Sequence, residues 1–402
     1  MKVLQLCSKP PRPAIDGGCI AMDSFTQNFL QLGYDLKILT VATDKHPFLP
    51  KELSKKYIEE TQIESIFIDT RVNVVDAFAS LITQDNYNVS RFFSVDLDIK
   101  LKNILRKRHY DIVQLESLFM TPYLPSIRRF SKAKVVLRSH NLEFNIWKRL
   151  AKQEISRPKK IYLNFLAKKL KEYEIDLMNQ VDGIISISPV DREKYLHMGC
   201  KVPITSIPTA LDLNNYIPRA TQRPEPKIFH IGAMDWAPNQ EGVLWFLNEV
   251  WPAVIEKHPK AKLVLAGKGL DFYQSIFGNR HPNVDFAGEV GNAIEFMQNH
   301  DIMIVPLLSG GGIRIKILEG MALEKLVISS KIGAEGIEAK HGKHFLISDN
   351  ATEFAKNLIM ALNEPELRRT MGEQARKFIH DHYSFEELNL KIDGFYNKLL
   401  GR

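Results

Sequence analysis

The chain has 402 residues, is 45% apolar and 25% charged, and carries a formal net charge of +7. That is the composition of an ordinary globular protein long enough for two domains with a full core each. No apolar run approaches the ~18 residues that would cross a bilayer, and M-K-V-L-Q-L-C-S-K-P is too short in its apolar part for a secretory leader. Cys7, Cys19 and Cys200 are odd in number, far apart and without metal-ligand spacing, so they point to a reducing, cytoplasmic compartment rather than a disulfide framework.

Taken in order, Val3–Cys7 reads as a strand, and Gly18–Leu32 has helical spacing closed by Gly33. Strand patterns recur at Leu36–Val41, Ser65–Ile68, Ile112–Leu115, Val135–Leu137, Gly183–Ile187 and Ile204–Ile207, with a long helix over Ser156–Gln180. The proline-rich stretch Pro218–Pro226 is the natural linker. After it come strands Lys227–Ile231, Lys262–Ala266, Val284–Phe286, Ile302–Val305, Leu326–Ser329 and His344–Ile347, with a helix over Pro238–Glu256. Ser384-Phe-Glu-Glu387 has the pattern of a capping box opening a last helix to Leu400. Alternating strands and helices predict an α/β fold of two doubly wound, Rossmann-like domains facing across a cleft. The expected divisions are 1–215, 216–382 and a C-terminal helix, 383–402, returning to the first domain.

Charge is uneven between the halves. Residues 1–205 hold 32 Lys and Arg against 23 Asp and Glu, a net of +9, which leaves −2 for the remainder. A basic first half suits an anionic surface, membrane headgroups or nucleic acid, or is a plain solubility surplus. Arg157–Lys171 could lie on a membrane as an amphipathic helix, and it lacks the aromatic and basic interleaving of single-strand nucleic-acid binders.

The most informative stretch is D-I-M-I-V-P-L-L-S-G-G-G-I-R-I-K-I-L-E-G-M-A-L, Asp301 to Leu323. It predicts a buried strand, a turn through Gly310, Gly311 and Gly312, then a helix bearing Arg314, Lys316 and Glu319. Glycines allow close backbone approach to a ligand, and a helix start offers free amides to phosphate. Two cations there oppose the helix dipole by several tenths of a kcal/mol, which a bound anion would reverse. Glu319 is an acceptor for vicinal hydroxyls. The set suits a nucleoside diphosphate; the plainer reading is a tight strand-to-helix connection.

These residues resemble glycosyltransferase family 4, retaining enzymes of two-lobed GT-B architecture, in the branch of exopolysaccharide and cell-envelope sugar transferases. The likeness covers nearly the whole chain and is most specific at F-H-I-G-A-M-D-W-A-P-N-Q-E-G-V-L-W-F (229–246), V-P-L-L-S-G-G-G-I-R-I-K-I-L-E-G-M-A (305–322) and G-A-E-G-I (333–337). It implies a donor site of Gly18, Val290, Gly311, Gly312, Ile313, Arg314, Lys316 and Glu319, with Glu319 on the ribose. It implies an acceptor side at Gly17, Glu116 and Asn141, and places His140 beside the transferred sugar as a catalytic group with Arg314 and Lys316. Glu116 equally suits a structural hydrogen bond, and His140 or Asn141 a helix cap. Lys268 and Glu335 sit on further strand-end turns with weaker claims.

Two departures from the family matter. Its first donor-flanking glutamate falls on Gly311, and its phosphate-binding Arg and Lys are replaced by Gly232-Ala-Met-Asp-Trp236, with Asn239 further on. Arg314 and Lys316 are expected to take over the diphosphate from the other side. The expected reaction moves a hexose from a UDP- or GDP-linked sugar to a glycan or lipid-linked saccharide. Fixed cations and no D-x-D pair in a fitting place predict no metal and no other cofactor. Without a carboxylate at 311, front-face attack is the simpler route to retention. The expected location is the cytoplasm, peripheral on the inner face of the cell membrane through the basic domain, with no nucleic-acid partner. The rivals are a nucleotide-sugar epimerase of the same architecture and a non-catalytic binder of anionic surfaces; no G-x-G-x-x-G follows a strand, which disfavours a dinucleotide oxidoreductase.

Overall fold

The computed structural model describes residues 1–69, 87–154, 156–219, 225–270, 274 and 281–402. Within them the chain forms two compact units, Met1–Ala210 with Phe385–Arg402, and Leu211–Ser384. No helix among the described residues is long and apolar enough to cross a membrane.

In the first unit, β1 (Lys2–Cys7) is buried along nearly its whole length, as a strand covered on both faces must be. Asp16 stops the following loop in extended geometry and accepts the Cys19 amide at 2.9 Å, which starts α1 (Gly17–Gln31). The chain continues through β2 (Asp35–Ala42), β3 (Glu64–Phe67), α2 (Val95–Lys107), β4 (Ile112–Glu116), α3 (Leu124–Phe130) and β5 (Lys134–Ser139). Then come α4 (Glu143–Gln153), α5 (Arg157–Met178), β6 (Gly183–Ser186), α6 (Pro189–His197) and β7 (Ile204–Ser206). Among the described residues these strands make one parallel sheet in the order β3-β2-β1-β4-β5-β6-β7. Strand order reverses between β1 and β4, so the crevice for a ligand lies beyond their C-terminal ends. There Cys7 pairs with Glu116, and Glu116 with Arg138.

The second unit repeats the scheme with β8 (Lys227–Ile231), α7 (Ala237–Trp245), β9 (Lys262–Ala266), β10 (Val284–Gly288), α8 (Ala293–Gln298), β11 (Ile302–Val305), α9 (Ile315–Ala322), β12 (Leu326–Ser329) and β13 (Leu346–Ile347). Its parallel sheet has the order β10-β9-β8-β11-β12-β13. Helices α10 (Ala351–Asn363) and α11 (Pro365–Tyr383) cover it. The helix expected over Pro238–Glu256 is broken by a π turn at Phe246–Val250, because Pro252 has no amide to donate and crowds the carbonyl one turn back. The last expected strand shortens to two residues, since the His344 amide is held in a turn by the Lys340 carbonyl at 2.9 Å.

The division between units falls at Ala210 and Leu211, ahead of the proline-rich stretch, of which residues 220–224 lie outside the described residues. The physical reason is local pairing: the Leu211 amide donates to the Tyr383 carbonyl at 2.8 Å, and Arg376 holds the Tyr216 carbonyl. Helix α12 (Phe385–Leu400) belongs to the first unit. Phe385, Leu388, Ile392 and Phe395 recur at helical spacing and bury against Phe25, Phe29 and Ile38. Tyr396 adds a hydroxyl donated to Gln114 in β4.

Candidate functional site

In the second unit the site is built on the β11-to-α9 connection. Gly310 and Gly312 take φ of +113° and +78°, a region open mainly to glycine. A Cβ at Gly310 would stand 2.8 Å from the Arg314 guanidinium and 3.1 Å from the Trp236 ring, so the missing side chain is what lets these two pack. Arg314 is the residue before the helix rather than within its first turn, and it is only 6% exposed. Its Nη1 donates to the carbonyls of Gly311 and Gly312, the latter at 2.6 Å, with the guanidinium 5.3 Å from the Trp236 ring. The expected free phosphate clamp is therefore a group that also shapes its own loop.

Lys316 does reach across. Its Nζ donates to the Ile231 carbonyl at 3.0 Å and to Asn239 Oδ1 at 3.1 Å, at the end of β8. Asn239 is fixed in turn by donating to the Ala233 carbonyl at 2.8 Å. A Cβ at Gly232 would lie 2.9 Å from Nζ, so glycine there admits the ammonium. Burial, and then the charge of Arg314, push the Lys316 pKa down to about 7. Beneath it, buried His230 donates from Nδ1 to the Ile304 carbonyl at 3.0 Å. Burial and Lys316 hold its pKa well below the usual range, so its Nε2 is a neutral acceptor without a partner.

Glu319 accepts the Tyr216 hydroxyl at 2.9 Å and is half-buried. Burial raises its pKa, and the Tyr216 hydrogen bond works against that rise. Ile313 and Val290 are partly buried and pack against the unit's core. Gly311 and Gly312 are half-buried in the turn. Lys268 is exposed and contributes its carbonyl to the Met234 amide at 2.7 Å; Glu335 lies in the turn after β12.

In the first unit, Gly17 and Gly18 open α1. A Cβ at Gly18 would stand 2.7 Å from Lys9 Nζ, and Lys9 itself grips Asp16 at 2.6 Å. His46 meets the same carboxylate at 2.9 Å. Burial favours the neutral acid, but the Lys9 ammonium and the Cys19 amide hold Asp16 well below the usual carboxylate range. Asp16, Cys19 and His46 are close enough to share a metal ion. Lys9 already supplies the positive charge there, and burial pushes the Cys19 thiol up to about 11, so it stays protonated at neutral pH.

Glu116 is fully enclosed. It accepts from Gln5 at 2.9 Å, Gln114 at 2.6 Å, Arg138 at 3.1 Å and His140 Nε2 at 2.8 Å. Of its two expected roles it holds the structural one, acting through His140. Burial pushes it toward the acid, yet Arg138 and His140 bring its pKa down to about 2. Arg138 is capped by the Phe25 ring at 4.1 Å and donates to the Ala21 carbonyl at 3.0 Å. His140, half-buried, has its pKa lowered first by burial and then by Arg138, with Glu116 opposing. With Nε2–H committed to Glu116, the neutral ring offers Nδ1 as an acceptor. Asn141 contributes its carbonyl, which accepts Ser139 Oγ at 2.9 Å.

Lys9, Tyr216, Trp236 and His230 were not legible as site residues. Tyr216 lies 103 positions from Glu319, and only folding brings them together. Trp236 stood in the 229–246 motif without an assigned role.

Two family models match in succession: Glycosyltransferase Family 4 over residues 20–215 and Glycosyl transferases group 1 over residues 225–364. The chain belongs to the glycosyltransferases of this family and is an enzyme of that class. It is 24% identical over 404 residues to an uncharacterized 44.6 kDa protein in the cps region of Klebsiella pneumoniae, across 96% of this chain and 97% of that one. In fold it is similar to the sucrose-phosphate synthase of Thermosynechococcus elongatus, with a TM-score of 0.74, 16% identity and full coverage of both chains. It is also similar to Anabaena HepE solved with UDP and glucose, with a TM-score of 0.67, 13% identity and coverage of 99% and 100%. These likenesses establish the GT-B fold.

Proposed function

We propose that this glycosyltransferase moves a hexose from a UDP- or GDP-linked sugar, with retained configuration, to a glycan or lipid-linked saccharide of envelope polysaccharide. The observation that carries the reading is Lys316, which spans from α9 to the end of β8 beside the Arg314 loop. Basic side chains beside a glycine turn and a helix start support a site for a leaving diphosphate, whose developing charge such groups stabilise. HepE's solved complex with UDP and glucose supports the donor class, and the full-length likeness to a cps-region protein supports the pathway. In the proposed step the sugar–oxygen bond to the diphosphate breaks with its electron pair. The acceptor oxygen attacks from the same face, and its proton passes to the leaving phosphate. Gly311 offers no carboxylate for a covalent intermediate, and the cations stand in for a metal.

Calorimetry with UDP and GDP tests the donor site. At least one nucleotide binds the intact chain, and Glu319→Ala weakens it about tenfold by removing a charge-assisted hydrogen bond to the ribose. Binding of neither nucleotide, or equal binding by the variant, rejects the assignment.

The enzyme works at an anionic membrane from the cytoplasmic side. Supporting this, α5 exposes Ile161 (71%), Tyr162 and Phe165 among Lys159, Lys160 and Lys168. Apolar side chains ringed by lysine suit the headgroup layer, each lysine adding about 1 kcal/mol at an anionic surface. The chain is expected to float with vesicles containing phosphatidylglycerol and not with pure phosphatidylcholine. Ile161→Glu should reduce partitioning about tenfold or more, as loss of one buried side chain implies. Flotation indifferent to lipid charge removes this part of the reading.

A further inference from the structure

The first unit carries a basic recess that the transfer reaction does not use. Residues 105–109 end α2 and lead into β4, and residues 128–132 end α3 and lead into β5. Together they line a cleft of about 540 Å³ at the N-terminal ends of those strands. Glu116 and His140 stand at the other, C-terminal ends. Arg106, Lys107, Arg108, Arg128, Arg129 and Lys132 line the cleft, and no Asp or Glu does.

Only part of this charge is spent on the fold. Arg108 pairs with Asp35, and Arg128 Nη1 donates to Asp182 at 2.6 Å. Arg106, Lys107, Arg129 and Lys132 are exposed and make no ion pair among the described residues. Helix C-termini favour cations, but each dipole end amounts to about half a charge, so two ends account for about one of the four. The rest repel one another unless an anion joins them. The forks are also held in place: the Arg106 and Arg129 guanidiniums lie 4.5 and 5.6 Å from the centre of the Phe130 ring.

The chemistry of the lining selects the occupant. Planar guanidiniums take phosphate oxygens two at a time, and four uncompensated cations match linked phosphates better than a single carboxylate. The two apolar side chains of the lining do not suit a bilayer or a nucleic-acid base. Leu105 is buried, and Phe130 carries Arg106, Arg129 and Lys102 against its ring. We propose that this cleft is a second anion site, which takes a soluble oligophosphate of two or more linked phosphate groups. It lies at the opposite end of the first sheet from Glu116 and His140 and is independent of the donor site. Occupancy relieves the like-charge crowding and stabilises the folded unit.

The test is calorimetric titration of the full chain with inorganic tripolyphosphate at about 50 mM salt, where screening is modest. Wild type binds it. Arg106→Glu combined with Arg129→Glu weakens binding about 30-fold or more, as loss of two charge-assisted contacts implies. Both side chains are exposed, so the unfolding midpoint of this variant stays within a few degrees of wild type. Reversing two charges outside the cleft, Lys159→Glu with Lys168→Glu on α5, leaves the affinity within about twofold, and Lys316→Ala leaves this binding in place. Absence of binding to wild type, or equal weakening by the α5 pair, overturns the site. Binding abolished by Lys316→Ala puts the anion in the second unit and overturns it too. Flotation with phosphatidic acid vesicles that depends on Arg106 and Arg129, without tripolyphosphate binding, assigns the cleft to a lipid surface and also overturns the proposal. The readout needs neither UDP nor turnover, so failure of the donor reading leaves its result unchanged.

Discussion

Lys316→Ala is expected to lower kcat/KM by about 30- to 1000-fold, the loss of about 2–4 kcal/mol of transition-state stabilisation that follows removal of a preorganised donor. Arg314→Ala should fall in the same range, with an added loosening of the loop whose carbonyls it binds. Turnover unchanged in both folded variants removes the diphosphate assignment. A second measurement reads the charge itself. Before ligand arrives, burial and Arg314 leave Lys316 with a pKa of about 7, so it is largely neutral above that pH. A diphosphate restores the ammonium. Nucleotide binding should therefore take up close to one proton between about pH 7.5 and 9, seen as a dependence of the calorimetric enthalpy on the buffer's ionisation enthalpy. Proton-neutral binding across that range contradicts the contact.

The same shift fixes the sign of a stability effect. The unfolded lysine binds a proton up to its ordinary value of 10.5, whereas the folded one releases it near 7. Between those values the unfolded state binds more protons, so this group's contribution to stability rises with pH. Its unfavourable contribution is fully present below about pH 7. Lys316→Met should accordingly be more stable than wild type at pH 6 while inactive, the usual signature of a residue kept for function.

Glu116→Ala should destabilise the first unit by about 3–5 kcal/mol, because it leaves the enclosed Arg138 charge without its counter-charge. Urea unfolding at pH 7 measures this; a loss below about 1 kcal/mol would mean that the pair is compensated elsewhere. Glu116→Gln is not conservative. Four donors converge on this carboxylate, and an amide would set its own N–H against one of them. The least costly relief is a change of His140 tautomer, with Nε2 becoming the acceptor and Nδ1–H turning outward. Histidine ring nitrogen shifts report it directly. The wild-type carboxylate is held down to about 2 against an ordinary value of 4.5, so its stabilisation is complete above about pH 4.5 and is lost as pH falls toward 2.

Much of the fold was legible because parallel strands buried on both faces read as short apolar runs. Lys227–Ile231, Lys262–Ala266, Ile302–Val305 and Leu326–Ser329 have the same limits in sequence and structure. The misses were local contests. Pro252 breaks a helix that its apolar spacing continues, and the His344 turn takes residues from the last strand. At the site, the glycine turn and the three charged residues after it stand close together in sequence and were readable there. The direction each charge takes was not. Arg314 folds back onto its own carbonyls while Lys316 extends to the end of β8, although they are two positions apart.

By itself, then, the sequence determined the α/β class, the strand positions and the glycosyltransferase family, all of which rest on short-range pattern and local motif. Tertiary structure decided the charge states and polarities. Burial beside a second cation lowers the Lys316 pKa to about 7, four convergent donors keep Glu116 ionised, and the Glu116 bond leaves His140 an acceptor. Each depends on which distant groups share a desolvated space. The 282-residue step from Tyr396 to Gln114, and through it to Glu116 and His140, shows how far along the chain such a partner stands.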